Sequence, residues 1–408
     1  MTTTILCLAI IAIIAIALEE FIHLNKAKST LFLGSLSWLL LFFHANQTGT
    51  VESVEEALNE NLLDIATLWL FLVATMTFVA YLNARGLISG LVVRALPGNT
   101  TVRKLTVFVT VFSLLLSMLC DNITATLVSI SVIQSFSLTV AQRVRLCVLA
   151  VFAVNSGGVL LITGDVTTLM IFNAGHVSIS ELFSLIVPAL SGVLVLLVFM
   201  LLHSNQDIEA TQEPEPIRKL DMAVGLIFFT TIVSTMLLSA FYFIPPMLTF
   251  IAGLSVLFMV GGIAHRFDQE VHFMEYTRKI QFDALFFFLG ILLIVGALKE
   301  VGVLEWLTKL YGMMNPDISN ALMGVMSSLL DNVPLTAALL KAEPVLETQQ
   351  WLSLVYAVGV GGSILVIGSA AGIVAMSRVK ELTFMSYLRF APHLVVAYFV
   401  GYATTLLV

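Results

Sequence analysis

Long apolar runs alternate with short polar breaks along nearly the whole chain, and the runs have the length of a bilayer crossing rather than of a strand. Unbroken spans are predicted at about Ile5–Leu18, Thr30–Phe43, Asp64–Leu82 and Leu182–Leu202, then at Met222–Tyr242, Met247–Ile263, Gln281–Leu298 and Tyr387–Val408. Four other runs are interrupted. Leu105–Thr139 is too long for one crossing and breaks at Asp121-Asn122, and Ile318–Leu340 breaks at Asp331-Asn332. Leu146–Phe172 breaks at Asn155-Ser-Gly157-Gly158 and again at Gly164-Asp165, while Trp351–Met376 is broken by glycines. Polar connectors fall between these runs: an amphipathic one at Arg85–Pro97, another through Trp306 and Tyr311, and an acidic loop at Val51–Asp64. Glu19 and Glu20 mark the end of the first span.

The order of breaks occurs twice. Asp121-Asn122 aligns with Asp331-Asn332, and Asn155-Ser-Gly157-Gly158 through Gly164-Asp165 aligns with Gly359-Val-Gly361-Gly362-Ser363 through Gly368-Ser369. Met76 to Leu87 aligns with Leu292 to Val303, and the offset shrinks slowly along the chain, as changes in loop length would produce. The polar stretch from His203 to Lys219 is the natural boundary. The prediction is an all-α polytopic membrane protein of two inverted-topology repeats, with about 10 transmembrane helices, two re-entrant hairpins and two broken helices. The first repeat covers 1–203, with the broken helix at 146–172. A cytoplasmic linker covers 204–221, and the second repeat covers 222–408, with the broken helix at 351–376.

Composition agrees: 59% of the 408 residues are hydrophobic and only 11% are charged, so most of the surface faces lipid. The net charge of -7 argues against nucleic acid. With two inverted halves, all but Lys299, Lys309 and Lys341 of the 19 basic residues gather on one face, which the positive-inside rule assigns to the cytoplasm, leaving both termini outside. Two full crossings at each Asp-Asn break would leave that split unchanged, so charge alone does not establish re-entrance. Cys7, Cys120 and Cys147 lie in apolar surroundings without metal or disulfide spacing and read as core residues.

Chemistry concentrates at the breaks. A carboxylate near the bilayer centre costs about 2.5–3.5 kcal/mol, which marks Asp121 and Asp331 as functional candidates, although a protonated structural carboxyl is the plain alternative. Asn122 and Asn332 supply amide oxygens beside them, and together with hydroxyls these make a hard-cation environment. Asp165 could equally cap the helix that follows Gly164. The pairs Gly157-Gly158 and Gly361-Gly362 would unwind their helices and free carbonyls for a cation. Tight packing through small residues explains many single glycines. Two pairs in register, each downstream of an Asp-Asn, point to the break. Histidines other than His393, which lies within the last span, fall in loops or at span ends.

At these motifs the chain resembles the NhaD-type sodium/proton antiporters of the ion transporter superfamily. The likeness runs over nearly the whole length and includes Ala17-Leu18-Glu19, Leu24-Asn25-Lys26-Ala27, Ser117 to Thr126, Asn155 to Thr168, Leu285 to Leu293, Asp331-Asn332-Val-Pro334 and Gly361 to Gly372. The resemblance implies hairpins with Asp-Asn at their tips, a bacterial inner membrane and homodimers. It also implies cation and proton binding by Asp121, Asn122, Asn155, Asp165, Thr167, Thr168, Asp331, Asn332, Ser363 and Ser369, with Ser327 and the two glycine pairs in support. Sodium would sit on Asp121, Asp165 and Asp331; lithium is a second candidate cargo, and no cofactor is implied. Where similar proteins often carry a glutamate, after Met76-Thr77-Phe78-Val79, this chain has Ala80.

The expected function is therefore exchange of sodium for protons by alternating access. Desolvation raises a carboxyl pKa and a bound cation lowers it, so one site holds either proton or sodium. Two other classes compete. An ion-coupled transporter of dicarboxylates or oxyanions would want neutral hairpin tips facing helix N-termini. An intramembrane aspartyl protease would use Asp121 and Asp165, but its expected flanking residues are absent and a repeated pair has no place in a dyad.

Overall fold

The computed structural model describes residues 1–17, 25–87, 99–202, 206–209, 218–265 and 273–407. Glu19 and Glu20, His23, His203, Arg266, His272, most of the Arg85–Pro97 connector and most of the 204–221 linker lie outside these residues. Among the described residues the fold is helical, apart from one antiparallel ribbon that pairs Asn99–Thr101 with Asp207–Glu209. Eight of the described helices are long and apolar enough to cross a membrane.

The first half begins with α1 (Thr2–Ala17), α2 (Lys26–Thr48) and α3 (Val51–Ala84). The interrupted run at 105–139 forms α4 (Val102–Leu119) and α5 (Asn122–Gln134), and the run at 146–172 forms α6 (Val140–Gly158) and α7 (Val166–Asn173). α8 (Ile179–Leu201) closes this half. The second half runs through α9 (Lys219–Tyr242), α10 (Pro246–His265), α11 (Phe282–Glu300) and the connector α12 (Glu305–Met313). Its interrupted runs form α13 (Pro316–Ser327) with α14 (Asn332–Ala342), then α15 (Thr348–Gly361) with α16 (Ala370–Arg378), before α17 (Ala391–Thr405).

The expected acidic loop is instead the start of α3. Glu52, Glu56, Glu60 and Asp64 recur every fourth residue, so a helix stacks them in one stripe. That stripe finds partners: Lys341 lies 2.7 Å from Asp64 and 3.4 Å from Glu60, and Lys299 lies 3.7 Å from Glu60. At about 1.5 Å per residue, the helix is about 50 Å long and outreaches a hydrocarbon core of about 30 Å.

Packing contacts come in matched pairs. α2 lies on α11 and α3 on α10; α4 lies on α6 and α13 on α15; α5 lies on α16 and α14 on α7. Close backbone approach explains several of these. Gly34 faces Gly290, and Trp38 on the same helix donates its indole N–H to the Leu293 carbonyl at 2.9 Å. Gly157 packs on the Leu114 backbone and Gly361 on that of Gly324, each filling space that a Cβ would need.

One polar contact ties the halves at α3 and α9. Buried Tyr81 donates to Asp221 Oδ1 at 2.6 Å, and Arg85 Nε stands 4.0 Å from the same oxygen. Losing a hydrogen bond to a buried charged acceptor costs about 1–3 kcal/mol. Tyr81→Phe is accordingly expected to unfold several degrees lower than the parent in a melting series on detergent-solubilised protein, without altering ion affinity.

Candidate functional site

The two α4–α5 limbs fold back on each other, because Ser113 donates to Ser129 at 2.8 Å, eight residues on either side of Asp121. The turn is short: Cys120 is extended and Asp121 caps α5. The same local logic recurs at each break. A polar residue with extended or near-extended backbone accepts from an orphan N–H in the first turn of the following helix. Asp121 accepts from Thr124 N at 3.0 Å, Asp165 from Thr167 N at 2.9 Å, Asp331 from Val333 N at 3.4 Å, and Ser369 from Gly372 N at 3.3 Å. The capping reading of Asp165 therefore holds, and it extends to the other breaks.

Both helices end at their glycine pair, where the expected breaks begin. α6 ends at Gly158 and α15 at Gly361, with Gly362 as its cap, and neither pair has positive φ. Irregular backbone then runs over 159–165 and 362–369. These glycines act through their lack of a side chain. A Cβ on Gly158 would overlap Asn122 Oδ1 and stand 3.3 Å from Asp165 Cβ, and a Cβ on Gly362 would stand 3.3 Å from Ser369 Cβ.

Asp165 is the junction of the site. Its Oδ2 accepts from the Asn122 amide at 2.9 Å and from the Asn332 amide at 3.4 Å, so one buried carboxylate joins the tips of both interrupted runs. Its Oδ1 accepts from the Thr167 backbone and from the Thr167 hydroxyl at 3.0 Å. Asn122 also donates to Asn155 Oδ1 at 3.4 Å and accepts from Ser117 at 2.8 Å, and Asn155 donates to Ser369 Oγ at 3.0 Å. Ser117 was not among the expected site residues, although it opens the first repeated motif. Thr168 Oγ1 is buried with no hydrogen-bond partner among the described residues, an unusual condition for a polar atom and one a cation would relieve.

The other expected residues divide. Ser327 spends its hydroxyl on the Val358 carbonyl at 2.7 Å, and Ser363 turns its own to Val360 while its carbonyl accepts from Tyr387 at 2.6 Å. Asp121 turns its second oxygen to the Thr124 hydroxyl at 2.8 Å. Asp331 meets a group expected on the cytoplasmic face: Lys26 Nζ lies 3.4 Å from its Oδ2. Among the described residues, no three Asp, Glu, His or Cys side chains form one metal-holding group. Oxygen donors here are amides and hydroxyls around single carboxylates, a set suited to a weakly held monovalent cation rather than a trapped divalent one.

Two cavities lie along the helices that carry these residues. One, of about 630 Å³, lies at the far ends of α7 and α14 and is walled by Asp64, Lys341, Asn173 and His176, the last stacked on Trp351 at 3.8 Å. The other, of about 510 Å³, is apolar, lies between α1, α11, α13 and α14, and includes Asp331 in its wall. His393, within α17, packs edge-on against Phe199 at 5.1 Å.

Comparison with known proteins adds to this geometry. The family model described as citrate transporter (CitMHS) matches residues 5–354. The chain is 31% identical to the Na(+)/H(+) antiporter NhaD of Vibrio cholerae, over 97% of this chain and 90% of that protein. It is 30% identical to the Na(+)/H(+) antiporter NhaD of Alkalimonas amylolytica, over 98% of this chain and 89% of that one. Sodium/proton antiporter 1 of Arabidopsis thaliana is 29% identical over 92% of this chain and 66% of its own length.

Proposed function

Because the chain belongs to the NhaD sodium/proton antiporters, within the citrate transporter (CitMHS) family, we propose that it exchanges sodium for protons and that Asp165 is the group over which they compete. The observation that carries this is the Asp165 carboxylate, buried and held by one amide from each Asp-Asn tip. A site tied to both halves changes when either moves. Sodium entering it gains the carboxylate, the free Thr168 hydroxyl and the amide oxygens nearby. A proton gains the carboxylate alone. Occupation by one excludes the other, and that exclusion is exchange.

The halves 1–203 and 222–408 act in this proposal as inverted repeats, which the matched packing pairs support. The Asp-Asn hairpins would enter and leave on one side, and the cavity by Asp64 and Lys341 would serve the outer approach. An inner-membrane location, both termini outside, lithium as a second cargo and a homodimer belong to the same proposal. The family description names citrate, an anion. Three aspartates at the breaks disfavour a free anion there, and the near full-length relatives are named as antiporters, so neither the anion transporter nor the protease is favoured; the protein is a transporter rather than an enzyme.

Everted vesicles carrying the protein test this. Sodium added after respiration has acidified the lumen is expected to dissipate the proton gradient, and labelled citrate is expected not to accumulate. Citrate uptake with no sodium-driven proton movement would reverse the assignment.

A further inference from the structure

Lys26 is the first residue of α2, and a cation there opposes the positive end of the helix dipole. Helix formation gives no reason for it. The capping is done by Asn25, which accepts from Ala27 N at 2.8 Å and donates to Asp283 at 3.0 Å. The lysine chain turns instead into the protein. Its ammonium reaches Asp331 Oδ2 at 3.4 Å and stands 4.6 Å from the Phe287 ring centre, with side-chain exposures of 18% for the lysine and 5% for the aspartate. The lysine and the carboxylate come from different parts of the molecule. α2 is fastened to α11 through Trp38, while Asp331 caps α14 and its neighbour Asn332 reaches Asp165.

We propose that Lys26 is a tethered counter-ion: its ammonium occupies the cation position at Asp331 when the transport site carries no sodium, and incoming sodium must displace it. The inference rests on the antiport reading and adds to it a positioning residue outside both hairpins. Without cargo, Asp331 would otherwise be an uncompensated buried carboxylate, a strongly unfavourable state. With the lysine in place Asp331 is already neutralised when no sodium is bound, and sodium affinity at that carboxylate is set by a competition within the chain. The step exchanges one cation for another and moves no proton.

Sodium binding to the purified, full-length protein by calorimetry, together with sodium-dependent proton flux in proteoliposomes, tests the idea. Lys26→Met removes the competitor, so half-saturation by sodium is expected to fall about tenfold, with a lower maximal rate. Lys26→Arg grips a carboxylate with two donors and is expected to raise half-saturation several-fold. A purely structural lysine would lower the melting temperature of Lys26→Met without tightening sodium binding, and that result would overturn the proposal. If Lys26→Met fails to fold, unchanged half-saturation in Lys26→Arg overturns it equally. A parent protein that neither binds sodium nor moves protons with it would instead remove the antiport reading.

Discussion

Asp165→Asn is expected to bring sodium-driven proton movement down to the level of vesicles lacking the protein. The change keeps the size of the side chain and its cap on α7, since Asn caps nearly as well as Asp. What it removes is the charge that accepts from Asn122 and Asn332 and that would neutralise a bound cation. Breaking a buried charge arrangement by removing one partner costs about 3–5 kcal/mol. At about 1.36 kcal/mol per decade, that is a loss of roughly a hundred- to several-thousandfold. Asp121→Asn is the matched comparison: the Asp121 carboxylate accepts from the Thr124 backbone and hydroxyl within its own first turn, so a far smaller loss is expected there. Fluorescence quenching of a pH-sensitive dye in everted vesicles reads both, and equal losses would contradict the assignment of the junction to Asp165.

The second large effect is expected at Gly158, where one methyl group is enough. An added Cβ would overlap Asn122 Oδ1, and Asn122 cannot retreat without giving up its 2.9 Å bond to Asp165. Gly158 is the last residue of α6 and does not have positive φ, so the cost of alanine there is the overlap itself. Losing one hydrogen bond to a charged group costs about 2 kcal/mol, roughly thirtyfold, and overpacking adds about 1–3 kcal/mol in stability. Gly158→Ala should therefore lower both exchange and melting temperature. Gly262→Ala on α10 meets nothing within 4 Å and should leave both unchanged. Parallel flux and melting measurements on the two variants check the contrast.

The breaks were legible in the sequence because polar residues inside a bilayer-length run are costly enough to stand out. Asn122, Asn155, Asp165, Asn332 and Ser369 do meet in one network, and all lie at breaks that repetition exposes. Three things were not legible. Repetition makes Asp121 and Asp331 look equal, and both cap the helix that follows, yet Asp121 turns its second oxygen to Thr124 while that of Asp331 faces a lysine, a difference set by packing across hundreds of residues. Lys26 carried a local signal, a basic residue in a first helical turn, but it reads as an ordinary flanking charge until α2 is placed beside α11 and α14. The acidic segment at 51–64 reads as a loop by charge density, and only its fourfold spacing hinted at the helix it forms. The buried pair of Tyr81 and Asp221 is likewise a tertiary product, joining residues 140 positions apart.

Equivalent N-cap positions in the two halves hold unlike residues: Asp165 on one side and Ser369 on the other. An architecture that could have been a mirror is thereby polarised. The two aligned turns therefore differ in charge, a carboxylate in one and a neutral hydroxyl in the other, and the residues after them diverge as well, Val166-Thr167-Thr168 against Ala370-Ala371-Gly372, so the oxygen-rich face is built almost entirely from the first of the two.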